Sequence, residues 1–284
     1  MSILEAIFQG ILQGIAEFLP ISSSGHLSVF QYITGTQESA FTVFLHLGTL
    51  FAVFLCYRKR IGKLIVAFFD MVKQIFFGKF SFKKMTYNQN FIWMVLLSLV
   101  PLLGFFFIKD PIQATATDDN LYVEAFSFLG TGVLMLLAAH AAKKESQNHN
   151  ITWQIALAMG VIQGVAALPG VSRSGSTLAV ALLLGLNKAT AIEFSFIMGI
   201  PAVLGANLFE FIDLFKGEGT GMEILPVMIG VVVSAIVGIL SIRLLNVLVK
   251  NNKFQLFAYY CFALGIICLI ISIIGSVTGQ NIFA

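Results

Sequence analysis

The segment Gln13 to His26, Q-G-I-A-E-F-L-P-I-S-S-S-G-H, returns 150 positions later as Gln163 to Ser176, Q-G-V-A-A-L-P-G-V-S-R-S-G-S. Aligned without a gap, the copies share Gln, Gly, Ala, Ser, Ser and Gly, Val171 answers Ile21, Glu17 faces Ala167 and Ser23 faces Arg173. Each copy interrupts an apolar run with a proline and small polar residues and then resumes it, the pattern of a helix, a loop and a second helix. One copy holds the acid and the other the base, so a site that uses both must draw on both halves of the chain.

The surroundings of the two copies are those of a membrane protein. The chain is 58% apolar and 11% charged over 284 residues, against roughly 25% charged in a soluble globular domain. A net charge of +3 is too small to point to a nucleic-acid partner. Cys56, Cys261 and Cys268 fall in apolar stretches without metal-ligand spacing and read as packing residues. No basic leader precedes the first apolar run, so the N-terminus is expected to be retained.

Residues 3–34 and 151–186 each hold two apolar runs shorter than the roughly 20 residues that cross a bilayer, and they read as re-entrant hairpins, the first around a loop at Pro20–Gly25 and the second around the break between its runs 151–168 and 172–186. Irregular backbone at membrane depth is tolerated where protein or a water-filled cavity surrounds it. Full spans are predicted over 40–57, 89–108, 121–141, 189–212, 223–246 and 254–275, with an amphipathic surface helix over 61–88, where lysines alternate with Phe-rich patches. An acidic loop holds Asp110, Asp118 and Asp119. Three spans per half is an odd number, so the second repeat (151–284) is inverted relative to the first (1–141). The predicted fold is an all-α polytopic membrane protein: six transmembrane helices plus two re-entrant helix-loop-helix hairpins in an inverted repeat, one integrated domain with its working loops near the midplane.

Lys and Arg set the orientation. With the connector after the first span in the cytoplasm, fourteen of the seventeen basic residues are inside, Lys109 and Lys216 are outside, and Arg173 alone lies within the membrane. The first hairpin then enters from outside and the second from the cytoplasm.

Gln13 and Glu17, four residues apart, share one helix face near its C-terminal end. An amide oxygen and a carboxylate at the negative end of a helix dipole suit a hard divalent cation, Mg²⁺ or Ca²⁺. The plain alternative is a polar face turned to water, but an ionisable residue inside a membrane segment is a functional candidate by default. Ser22, Ser23, Ser24, Gly25 and His26 open a helix after a proline, where one hydroxyl would suffice as a cap and the N–H groups favour an anion. His26 adds a proton donor, proton acceptor or nucleophile. In the second copy, Arg173 offers a planar fork for phosphate oxygens, flanked by Ser172, Ser174 and Thr177. Its alternative is an ion pair with Glu17. Two positive helix ends, one Arg and one cation together call for a diphosphate. His46, Glu193, Glu210 and Asp213 read as interfacial or packing residues, Glu5 as interfacial, and Gly199, Gly205, Gly230 and Gly238 as points of close helix contact.

At these residues the chain resembles the undecaprenyl-diphosphatase family of bacitracin-resistance membrane enzymes. Its two signatures are an acidic or amide residue four before Glu, here Gln13 and Glu17 leading into P-I-S-S-S-G-H, and P-G-x-S-R-S-x-x-T, here Pro169 to Thr177. The resemblance implies metal-dependent release of phosphate from undecaprenyl diphosphate, which recycles the lipid carrier of cell-wall synthesis. The site would open to the external, periplasmic face of the bacterial inner membrane, and a homodimer would be compatible with it. Carried over by position, Gln13 and Glu17 serve the metal, Ser23 and His26 the attack and proton transfer, and Arg173, Ser172, Ser174 and Thr177 the phosphates. Gln13 in place of Glu weakens schemes that need two carboxylates there. Ser23, His26 and a metal-bound water stay open as the attacking group, with Ser23 assisted by His26 preferred. The phosphatidate-phosphatase type is set aside, because no Arg precedes Pro and no His follows His149. A polyprenyl-phosphate flippase is the alternative that the same inverted repeat supports.

Overall fold

In the computed structural model, residues 2–35, 39–106, 120–144, 146–216 and 223–278 are described. Among them are ten α-helices, one short 3₁₀ turn at Phe82–Lys84 and no strand. The helices are α1 (Ile3–Ala16), α2 (Ser23–Thr34), α3 (Ser39–Phe76), α4 (Tyr87–Phe106), α5 (Tyr122–Ala141), α6 (Trp153–Val165), α7 (Arg173–Leu183), α8 (Lys188–Lys216), α9 (Ile224–Lys250) and α10 (Phe254–Thr278). The expected acidic loop lies outside the described residues, as do the side chains of Glu210 and Asp213.

Six helices, α3, α4, α5, α8, α9 and α10, are long and apolar enough to cross a membrane, and the chain is a multi-pass membrane protein. The other four belong to the repeated segments. At 14 and 13 residues, α1 and α6 reach only about 20 Å at 1.5 Å per residue, against a hydrocarbon core of roughly 30 Å.

One expectation about the spans is corrected. Helix α3 runs for 38 residues from Ser39 to Phe76 without a break at Arg58–Arg60, so the stretch after residue 60 is no separate surface helix. Nothing in that stretch stops a helix before Gly78, which adopts φ +65°, and the arginines are good helix formers. Leu64, Ala67 and Met71 are buried while Phe68, Phe69, Val72 and Phe76 stay exposed, which keeps the amphipathic character that the sequence shows. The cysteines also divide: Cys261 and Cys268 are buried, but Cys56 is exposed.

Each half places its first helix on a helix of the other half through glycine. On α1, Gly10 and Gly14 approach so closely to α9 that a Cβ on either would collide with Gly230, Val233, Ser234 or Val237. On α6, the corresponding Gly160 and Gly164 lie against Ser98, Pro101 and Phe105 of α4. Small residues four apart let helix backbones meet where lipid offers no hydrophobic drive for association. Helices α5 and α10 also pack along each other, as do α3 and α9. Gly230 and Gly238 serve close contacts as expected, whereas Gly205 faces open space.

Candidate active site

The loop between α1 and α2 and the loop between α6 and α7 touch at their tips. A Cβ on Gly25 would lie 2.7 Å from the Cα of Gly170, and one on Gly175 would lie 2.8 Å from the Cβ of Pro20. Those two contacts are the same contact seen from either copy, since Gly25 aligns with Gly175 and Pro20 with Gly170. Both tips are held from behind as well. The Cys261 thiol on α10 donates to the Pro20 carbonyl at 3.7 Å, and the Thr131 hydroxyl on α5 donates to the Gly170 carbonyl at 3.4 Å.

This meeting puts Glu17 and Arg173 together. Glu17 is the residue that closes α1, and Arg173 is the first residue of α7. The guanidinium Nη2 donates directly to Glu17 Oε1, so the ion pair that the sequence left as an alternative is present. The second carboxylate oxygen, Oε2, accepts the Ser23 hydroxyl at 2.7 Å and the Gln13 side-chain amide at 3.1 Å. Glu17 is only 8% exposed, which leaves it a charged hub whose oxygens are occupied by donors from three elements. A buried carboxylate is tolerable on those terms, because its charge is both paired and hydrogen-bonded.

Gly199 on α8 makes room for the arginine. A Cβ there would run into Arg173 Nη1, so the expected helix contact is in fact a seat for the guanidinium. Beside the pair, a cavity of about 10 Å³ is lined by Glu17, Arg173, Thr49, Gly199 and apolar side chains including Phe18 and Phe196. That is about the space of one water, and Arg173 and Glu17 close on each other at its wall.

The first loop carries backbone strain. Ser22, the N-cap of α2, adopts φ 70° and ψ 106°, a region that costs a residue with a Cβ about 1–3 kcal/mol. Its hydroxyl accepts the Gly25 N–H at 3.2 Å, and its carbonyl accepts the His26 ring Nδ1–H at 2.6 Å. The aligned Ser172 caps α7 at an ordinary φ of −74°. The strain therefore belongs to the copy that carries the imidazole.

The remaining predicted residues divide. Ser24 is exposed and lies 3.3 Å from the Ser22 hydroxyl. Ser172 accepts from Gly175 N–H at 3.1 Å and lies 3.4 Å from Ser174. The Thr177 hydroxyl sits 2.9 Å from the Arg173 carbonyl and 2.6 Å from the Ser195 hydroxyl, so it braces α7 against α8 and does not face the guanidinium. The preferred Ser23–His26 pairing is replaced by Ser23–Glu17. The reason is geometric: the Ser22 carbonyl draws the imidazole back over its own helix turn, and the other ring nitrogen lies 2.6 Å from the Tyr260 hydroxyl.

A cation site at Gln13 and Glu17 fits in part. Gln13 is fully buried, and its Oε1 has no hydrogen-bond partner, an acceptor at the right place for an oxygen-seeking ion. Among the described residues no group of three His, Cys, Asp or Glu gathers, so those at this spot would offer a cation one carboxylate and one amide oxygen, short of the six or more oxygens that Mg²⁺ or Ca²⁺ takes.

Three residues of this region were missed. His46, read as interfacial or packing, places Nε2 3.7 Å from Glu17 Oε2, while its Nδ1 donates to the Thr42 carbonyl at 2.8 Å. A histidine inside a span was the available signal. Glu124, 2% exposed, accepts the Ser28 hydroxyl at 2.5 Å beneath the loop tips, and Tyr260 meets His26. Glu193, by contrast, pairs with Arg60 at 2.7 Å, away from this cluster, and Glu5 forms a capping box with Ser2.

Comparison with known proteins identifies the family. The family model described as bacitracin resistance protein BacA matches residues 6–267. An undecaprenyl-diphosphatase of Methanosphaera stadtmanae is 37% identical over 280 residues, covering 96% of this chain and 99% of the relative. Those of Methanobrevibacter smithii and Bacteroides fragilis are 38% and 34% identical over 279 residues each, with the same coverage. The chain belongs to the bacitracin resistance protein BacA family.

Proposed function

We propose that the chain hydrolyses undecaprenyl diphosphate to undecaprenyl phosphate and inorganic phosphate, at the junction of Glu17, Ser23 and Arg173. The observation that carries the reading is that junction itself: a serine hydroxyl and a guanidinium, from loops 150 residues apart in sequence, bonded to the two oxygens of one buried carboxylate. The relatives' names describe the same reaction, and none of those cited describes a carrier.

The arriving diphosphate competes with Glu17 for Arg173. Once the arginine turns to the phosphate, the carboxylate loses its strongest partner and becomes a better proton acceptor. Glu17 Oε2, already bonded to the Ser23 hydroxyl, then takes its proton while Oγ attacks the terminal phosphorus. The phosphoanhydride P–O bond breaks, its electrons stay on the oxygen of the departing undecaprenyl phosphate, and a phosphoserine remains. Water then attacks that phosphorus, its proton passes to the His26 imidazole, and the Ser23 oxygen leaves and takes back the proton held by Glu17. Arg173 and the N–H groups at the start of α2 and α7 stabilise the charge on the transferred group. A divalent cation held by Gln13 Oε1 and Glu17 would supply further neutralisation of the phosphate oxygens.

In this reading the hairpins are re-entrant halves of an inverted repeat, and the site faces the external side of the inner membrane, a sidedness supported by the Lys and Arg distribution. Both loops come from one chain, so the scheme needs no second copy. The test is release of inorganic phosphate from undecaprenyl diphosphate by purified, lipid-reconstituted protein. Arg173→Ala and Glu17→Ala should each lose about 10³-fold or more, in line with loss of an arginine that stabilises phosphoryl transfer. Full activity in both variants would remove the mechanism.

A further inference from the structure

His26 does not touch the Ser23–Glu17–Arg173 junction, yet both of its ring nitrogens are engaged. The Ser22 carbonyl oxygen can only accept, so Nδ1, 2.6 Å away, carries the hydrogen, and in the neutral ring Nε2 holds the free lone pair. That nitrogen lies 2.6 Å from the Tyr260 hydroxyl, which donates to it. The two rings are within 4° of parallel with centroids 5.6 Å apart, and Phe128 closes the imidazole from the side, edge-on at 5.4 Å.

The neighbours of Tyr260 make this contact specific. The next residue, Cys261, is the one whose thiol holds the Pro20 carbonyl, so one turn of α10 fixes both the first loop and its histidine. Tyr260 is 44% exposed, on a helix whose other outward-facing residues are Leu256, Tyr259, a run of Ile and Val277. Packing alone would be met by a phenylalanine there. The hydroxyl is spent on the single His26 nitrogen that can exchange a proton.

We propose that Tyr260 is a positioning residue for His26. The Ser22 carbonyl selects the tautomer, and the Tyr260 hydroxyl holds the basic nitrogen in one orientation at the edge of the site. This rests on the hydrolytic reading above, in which His26 serves a proton transfer during turnover. Deleting one hydrogen bond of about 1.4 kcal/mol corresponds to a tenfold change in rate.

The experiment compares the reconstituted wild type, Tyr260→Phe, His26→Ala and the double variant in phosphate release from undecaprenyl diphosphate. Tyr260→Phe is expected to lower kcat about tenfold with KM little changed, and to have no further effect when His26 is already alanine. Wild-type kcat in Tyr260→Phe, a loss confined to KM, or an equal loss in both backgrounds would each overturn the proposal. A second readout needs no substrate: the ¹⁵N resonance of the His26 Nε2, assigned by its loss in His26→Ala, should move toward that of a free imidazole nitrogen in Tyr260→Phe. An unmoved resonance overturns the positioning role. Absence of phosphate release by the wild type would instead count against the hydrolytic reading, and the resonance would still decide the Tyr260–His26 contact.

Discussion

Ser23 donates its hydroxyl to Glu17 Oε2 at 2.7 Å, six residues back in the chain and on the other side of the Pro20 turn. The bond makes Glu17 the immediate proton acceptor for Ser23, and the chain reversal at Pro20 is what allows it. Replacing Ser23 with Ala should therefore lower kcat for phosphate release by about 10³-fold or more while leaving KM within a few-fold, the pattern of an interaction made in the transition state. Steady-state kinetics on reconstituted protein checks it. A loss confined to KM would reduce Ser23 to a binding group.

Gly199→Ala tests the seat of Arg173. The added methyl meets the guanidinium Nη1 and no backbone, so the long side chain can shift and the helix should survive. We expect unchanged helical content by circular dichroism and a fall in turnover of about 10–100-fold, the scale of a displacement of about 1 Å in a catalytic group. Gly205→Ala, at a glycine that faces open space on the same helix, should leave turnover unchanged. Equal activity in both variants would show that Arg173 does not depend on its present place.

The two aligned glutamines should differ in kind. Gln163 is 4% exposed, and neither its Oε1 nor its Nε2 has a hydrogen-bond partner, a desolvation cost of about 1–3 kcal/mol that an apolar side chain of similar length avoids. Gln163→Met should raise the melting temperature by a few degrees and keep activity. Gln13→Met removes the amide that holds Glu17 Oε2 and should lower activity at any thermal stability. Thermal unfolding and phosphate release, measured on both, decide the matter. A destabilised Gln163→Met would mean that the buried amide is paired after all.

The sequence made legible those features that repeat. The two broken segments, the six long apolar helices and the cluster of Gln13, Glu17, Ser23 and Arg173 all follow from one internal alignment and from hydropathy. Pairings across helices were not legible. Nothing in the stretch around His46 says which face of α3 points at Glu17, and Tyr260 reaches His26 across 234 positions from a helix that reads as uniform lipid-facing bulk. That Ser23 turns to Glu17 and His26 to the Ser22 carbonyl goes with a chain reversal at Pro20 and a φ of 70° at Ser22, backbone turns that composition cannot announce. The extent of α3 is not legible either, because Arg58, Lys59 and Arg60 mark a change of environment, which a helix can cross without ending.

Whether the two loops form one site is settled most directly by a double-mutant cycle on kcat/KM for phosphate release, using Glu17→Gln, Arg173→Gln and the two together. Residues that work as a unit are strongly non-additive. The account predicts that each single change costs about 10³-fold or more and that the double variant is scarcely worse than either. A double variant whose loss equals the product of the single losses would show that the two loops act independently, and would contradict the shared site.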